Sequence, residues 1–195
     1  MSRALAIKRF YSKEEYLEME AAADYKSEYY HGEIFAMSGG SPDHSTICLN
    51  MNRSIWEATR NKNCRGFESN MKLEIAEADI YVYPDLTVVC GDVKLAENTS
   101  DVITNPVLII EVLSPGTESF DRGRKSDYYR TIRSLKEYVL VSQDKPKVEI
   151  YLRQNEILWQ FTVIEGFEKS FVFQSLDYKI ALEDIYFKTD LIMRK

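Results

Sequence analysis

Apolar residues along the chain fall into short strand-like runs separated by a few helical faces. Leu86-Thr87-Val88-Val89-Cys90 and Val107-Leu108-Ile109-Ile110-Glu111-Val112-Leu113 are β-branched and almost unbroken, the pattern of strands buried on both faces inside a sheet. Upstream, Ser12-Lys13-Glu14-Glu15 has the form of a capping box and predicts a first helix through about Ala22. Residues 25–30 and 33–37 read as a hairpin, because His31-Gly32 suits a two-residue turn with positive backbone angles. Ser38-Gly39-Gly40 breaks the second strand, and Ser41 with Pro42 then opens a helix. Its buried face is Ile47, Met51, Ile55 and Ala58, with His44 on the same side one turn earlier. Strands follow at residues 64–67 and 71–75, ahead of the two apolar runs. Ser119 or Asp121 caps a third helix over residues 121–132, which leads into a strand at 137–142. Runs at 147–153, 157–164 and 171–174 read as a β-meander, and 182–186 as a closing helical turn. No repeat, low-complexity tract or linker interrupts this order, so residues 1–195 are expected to form one mixed α/β (α+β) domain, a central sheet flanked by helices.

Two acids interrupt the apolar pattern. Asp85 follows Pro84 at the start of the first run, and Glu111 lies inside the second. An isolated buried charge is very costly, so such acids need a proton or a cation. Adjacent antiparallel strands set the start of one beside the end of the next, which brings Asp85 and Glu111 to one rim of the sheet. Two carboxylates about 4 Å apart repel by about 4 kcal/mol at an effective dielectric of 20, a conflict that one Mg²⁺ or Mn²⁺ turns into attraction. Lys125 joins them from the third helix, where Tyr128, Tyr129 and Ile132 follow it by three, four and seven residues and put it on the buried stripe. It can neutralise a phosphate, orient an attacking water, or pair with the two acids in a cluster that only holds the fold.

Composition bounds these readings. A chain of 195 residues buries roughly 70% of its unfolded surface, enough for a core without staples. The 45% apolar and 29% charged content is that of a soluble globular protein, and no apolar run approaches the roughly 20 residues of a membrane helix. The first ten residues carry Arg3, Lys8 and Arg9 and do not form a secretory signal, so cytoplasmic residence is expected. Cys48, Cys64 and Cys90 are odd in number with no close pair, and each reads as a small buried hydrophobe rather than part of a disulfide framework or zinc knuckle. A net charge of −6 argues against a protein that coats DNA through many phosphate contacts. Basic residues still gather at Arg122, Arg124, Lys125, Arg130, Arg133 and Lys136, mostly as the wet face of a helix, with Arg122 and Arg124 as candidates to touch phosphate. Glu33 alternates with Phe35 and Met37, so it is either an inward third acid or an exposed hairpin residue. His44, near a helix N-terminus, suits either phosphate or water binding or simple packing.

Tyr83-Pro84-Asp85, Ile110-Glu111-Val112-Leu113-Ser114-Pro115 and Asp121-Arg122-Gly123-Arg124-Lys125 with Tyr128 together resemble the Uma2 family of putative restriction endonucleases, within the PD-(D/E)XK nuclease superfamily. The Gly32-Glu33-Ile34 hairpin and the Ser41-Pro42-Asp43-His44 helix start are similar too, so the likeness covers about residues 10–187. The position two after Glu111 is Leu113, where many such nucleases carry lysine, so the lysine role passes to Lys125. The resemblance implies a restriction-endonuclease-like fold and metal-dependent hydrolysis of DNA phosphodiesters, with Asp85, Glu111 and the Val112 carbonyl on Mg²⁺ or Mn²⁺ and Lys125 at the water or phosphate. It also makes a homodimer plausible for cutting both strands. Two other readings stay open: a catalytically silent nuclease fold that binds DNA or a protein, and hydrolysis of another phosphate ester in the same site.

Overall fold

Buried strands must pair their backbone groups, and the two apolar runs pair with each other. In the computed structural model, which describes residues 10–193, they form neighbouring antiparallel strands with Leu86 opposite Ile110 and Val88 opposite Leu108. The expectation about a signal segment concerns residues 1–10, of which residues 1–9 lie outside the described residues.

In chain order, α1 (Lys13–Ala22) starts at Ser12, whose hydroxyl accepts from the Glu15 N–H while Glu15 caps the Ser12 N–H. Strands β1 (Ser27–Tyr30) and β2 (Glu33–Ala36) form the expected hairpin, with His31 and Gly32 at φ 50° and 89° in its turn. Helix α2 (Pro42–Thr59) is capped by Ser41, and Ile47, Met51, Ile55 and Ala58 form its buried face. Then come β3 (Cys64–Glu68), β4 (Lys72–Ile75), β5 (Ile80–Val82), β6 (Leu86–Cys90), β7 (Val102–Ile103) and β8 (Leu108–Leu113). The third helix differs from expectation. It begins three residues early as α3 (Glu118–Phe120), passes through a wide turn at Asp121–Lys125 where Gly123 leaves helical geometry, and resumes as α4 (Ser126–Thr131). Neither Ser119 nor Asp121 caps it, because both already lie within the helical turns. The rest comprises β9 (Glu137–Ser142), β10 (Lys147–Arg153), β11 (Trp159–Glu165), β12 (Ser170–Phe173), β13 (Tyr178–Ala181), α5 (Leu182–Ile185) and α6 (Asp190–Met193).

Six strands make the main sheet, in the order β11-β10-β9-β8-β6-β3, mixed because β8 and β9 run parallel. A second, five-stranded sheet runs β2-β1-β5-β4-β7. The meander ends at β11, since β12 pairs instead with β13 in a separate two-stranded sheet. Alternation along β6 and β8 gives the main sheet two apolar faces. Leu86, Val88, Leu108, Ile110 and Val112 pack with the α2 face, whereas Val89, Ile109 and Leu113 pack with Tyr129, Ile132 and Tyr138 from the α4 side. Among the described residues, no helix is long and apolar enough to cross a membrane.

One cysteine expectation is overturned. Cys64 and Cys90 are directly opposite in the β3–β6 ladder and form a disulfide, while Cys48 is free and half-buried. A separation of 26 positions hid a pair that strand register makes adjacent.

Candidate active site

The β6–β8 register carries Asp85, one residue before β6, to the side of Glu111 in β8. Their backbones tie them together. The Val112 N–H donates to Asp85 Oδ2 at 2.8 Å, and the Asp85 N–H donates to Glu111 Oε2 at 3.3 Å. Glu111 is buried, while Asp85 keeps 18% of its side chain exposed, so the acidic pair has one closed and one open end.

Lys125 approaches Glu111 from the closed side. Its Nζ lies 2.8 Å from Glu111 Oε1, 3.4 Å from Glu28 Oε1 and 3.7 Å from Asp121 Oδ1. Tyr129, four residues on, donates its hydroxyl to the same Glu111 Oε1 at 2.7 Å. Asp121, Lys125 and Tyr129, each four residues apart, thus converge on Glu111 from one face of this helical segment. Sequence reasoning did not select Glu28. It sits in β1, fixed by the Tyr30 hydroxyl at 2.8 Å and the Tyr83 N–H at 3.3 Å, and comes from the second sheet. The available signal was alternation, which puts Glu28 and Tyr30 on one strand face.

From the open side, His44 Nε2 lies 3.4 Å from Asp85 Oδ2. The α2 start fixes this placement, since the His44 N–H donates to Ser41 Oγ at 3.0 Å. Glu33 is half-buried opposite Tyr30 in the β1–β2 ladder, on the Glu28 face but one strand further out. Arg122 is held by Glu118 and, at 2.8 Å, by Glu149, whereas Arg124 is exposed and forms no ion pair among the described residues. Structure thus brings together Asp85, Glu111, Val112, Lys125 and His44, adds Glu28, Asp121 and Tyr129, and directs Arg122 toward carboxylates of its own.

The electrostatics follow from three carboxylates around one lysine, with Asp85 beside Glu111 as a fourth acid. Burial pushes the Glu111 carboxyl up to about 8, and the charge of Asp85 adds to this while Lys125 opposes it. Burial also raises Asp121, again against Lys125. For Lys125 burial alone favours the neutral amine, but Glu111 and Glu28 outweigh it and hold the ammonium well above its ordinary range. His44 is raised chiefly by its hydrogen bond to Asp85, against burial, with the Val112 carbonyl also accepting from the ring. Asp85, Glu111 and the Val112 carbonyl are oxygen donors, the set that Mg²⁺ and Mn²⁺ prefer, and a buried acid held up by its surroundings gains most from a nearby cation. The residues present fit such an ion.

Comparison with known proteins bears on family and fold. The Uma2 family model, described as "Putative restriction endonuclease", matches residues 13–182. Two relatives come from Synechocystis sp. (strain ATCC 27184 / PCC 6803 / Kazusa). "Uncharacterized protein sll1609" is 38% identical over 152 residues, covering 78% of this chain and 86% of its own length. "Uncharacterized protein slr1290" is 33% identical over 175 residues, 90% of each. Among solved structures, "a putative nuclease belonging to DUF820" from Anabaena variabilis ATCC 29413 superimposes with a TM-score of 0.74 at 18% identity, covering 90% of this chain and 97% of that one, which speaks to fold. With the match spanning nearly all of the described elements and a nuclease-like fold beneath it, this chain belongs to the Uma2 family.

Proposed function

We propose that the protein is a metal-dependent endonuclease that hydrolyses DNA phosphodiester bonds at the Asp85–Glu111 rim. One observation carries the reading: two acids at the ends of neighbouring central strands meet at one rim of the sheet, Asp85 partly exposed and Glu111 buried with a lysine 2.8 Å away. Metal-dependent phosphodiester hydrolysis uses oxygen donors to hold the ion, and a fixed cation adds stabilisation of developing negative charge. Mg²⁺ or Mn²⁺, held by Asp85, Glu111 and the Val112 carbonyl, would supply a bound water of lowered pKa and polarise the scissile phosphate. The chain's own residues do the rest. Tyr129 and Lys125 fix the Glu111 carboxylate through Oε1, so Oε2, which accepts from the Asp85 N–H, is left on the Asp85 side. Lys125 holds a permanent positive charge near where charge develops on phosphorus, and Glu28 with Tyr30 orients that ammonium. His44, beside Asp85 at the solvent end, is placed to meet a phosphate oxygen.

The test is cleavage of supercoiled and linear DNA by the purified protein with Mn²⁺ or Mg²⁺. Asp85→Ala and Glu111→Ala, with unchanged circular dichroism, are expected to abolish cleavage and Mn²⁺ binding. Cleavage that survives both substitutions would assign it to a contaminant or another site. A second reading, a silent nuclease fold that binds DNA or a protein partner, draws on the burial of Lys125 among three carboxylates. It predicts DNA or protein binding with no Mn²⁺ affinity dependent on Asp85.

A further inference from the structure

Helix α2 sets two softer ligands beside Asp85. His44 and Cys48 are four residues apart, so they share a helix face, and Cys48 Sγ lies 3.7 Å from His44 Nδ1. The Asp85 carboxylate is 3.4 Å from the other ring nitrogen. One donor atom from each of His44, Cys48 and Asp85 lies within 4.8 Å of the others. None of the three is sealed off: all are half-buried, and Cys48 has no disulfide partner. The chain also keeps room for the ring, since a Cβ on Gly40 would come within 2.8 Å of His44 Nδ1.

We infer that His44, Cys48 and Asp85 form a second cation position, selective for a borderline-soft divalent ion such as Zn²⁺ and sharing Asp85 with the oxygen-donor site. Nitrogen, thiolate sulfur and carboxylate are the ligands Zn²⁺ takes at about 2.0–2.3 Å, so the three donors need to draw together by about 1 Å around the ion. A side-chain rotation in each is enough for that shift, because two of the ligands sit on one helix face. Mg²⁺ and Mn²⁺ gain little from sulfur, whereas Zn²⁺ gains much, so the two positions differ in the metal they select. Binding forms a Zn–S bond and breaks the S–H bond, with the proton passing to buffer. Three protein ligands leave a fourth position for water, as in zinc sites that remain open. Because Asp85 belongs to both positions, Zn²⁺ here withdraws that carboxylate from the oxygen-donor site. That last consequence, inhibition of cleavage by Zn²⁺, rests on the nuclease reading; the zinc site itself does not.

The test uses the full chain, freed of metal, titrated with Co²⁺ alone as a spectroscopic stand-in for Zn²⁺. A thiolate-to-cobalt charge-transfer band and intense visible bands of four-coordinate Co²⁺ are expected, both displaced by Zn²⁺. Cys48→Ser should remove the charge-transfer band and weaken Zn²⁺ binding at least tenfold, while calorimetric Mn²⁺ binding stays within twofold. Gly40→Ala, which crowds the ring without removing a ligand, should weaken Zn²⁺ binding and leave the thiolate band in place. No band in the unsubstituted protein, or a band that persists in Cys48→Ser, overturns the inference. A cobalt–thiolate band without any Mn²⁺ binding at Asp85 keeps this site and removes the nuclease reading; Mn²⁺ binding without the band does the reverse.

Discussion

Glu111 and Glu137 are both buried glutamates on neighbouring strands, β8 and β9, yet the chain treats them in opposite ways. Glu137 meets neutral donors: its Oε2 accepts from the Ser175 N–H at 3.0 Å and the Ser175 hydroxyl at 2.8 Å. Glu111 meets charges, with Lys125 at 2.8 Å and Asp85 alongside. Burial raises both carboxyls, so a perturbed acid by itself does not mark a site. What separates them is convergence. Other acids gather on Glu111, whereas Glu137 is a strand end closed by one serine.

The largest expected effect tests that difference at Lys125. Lys125→Met leaves Glu111 and Glu28 facing each other without their cation, and urea unfolding should show a loss of about 3–5 kcal/mol. Adding Glu111→Leu should restore much of it. An unchanged urea midpoint in the single variant would mean that the cluster does not hold its charges as drawn. Next in size is stabilisation by metal: Mn²⁺ at about a hundred times its dissociation constant should add about 2.7 kcal/mol. Asp85→Ala should lose this gain and Glu137→Gln should keep it; equal gains in all three proteins would erase the contrast.

Smaller effects belong to the Glu137 end. Glu137→Ala leaves the Ser175 donors without an acceptor and should cost about 1–3 kcal/mol by urea unfolding, while Glu137→Gln retains an oxygen and should cost less. A larger loss with Gln than with Ala would contradict the neutral-donor account. Subtlest is the dependence on pH. The folded Glu137 carboxyl sits above its ordinary 4.5, so its contribution is fully present below pH 4.5 and is lost as pH rises through the folded value. Relative to Glu137→Gln, the unsubstituted protein should therefore lose stability between acid and neutral pH. A stability difference that moves the other way would show that the serine donors outweigh burial.

Much of the fold was legible because its signals are local. The capping box at Ser12, the turn at His31-Gly32 and the apolar stripe of α2 each depend on residues within a few positions of one another, and all three appear as expected. Asp85 and Glu111 were also readable as neighbours, since strand pairing converts two apolar runs into one rim. The third helix was harder. Its face gave Lys125, Tyr129 and Ile132 correctly as buried, but the departure at Gly123 and the start at Glu118 depend on how the segment seats against the sheet. Strand alternation singled out Glu33, whereas the acid that reaches Lys125 is Glu28 on the neighbouring strand. That answer needed β1 to dock beside β5 and the helix to cross it, a contact spanning 97 residues.

The order of hydrophobic and polar residues alone determined the first two helices, the first hairpin, the central strands and the two acids they carry, because period and capping are properties of neighbouring positions. Tertiary structure decided the Cys64–Cys90 bridge, the recruitment of Glu28 and the approach of Cys48 and His44 to Asp85. Each of these depends on register or docking between segments far apart in the chain. No local spacing records which side chains such packing will press together.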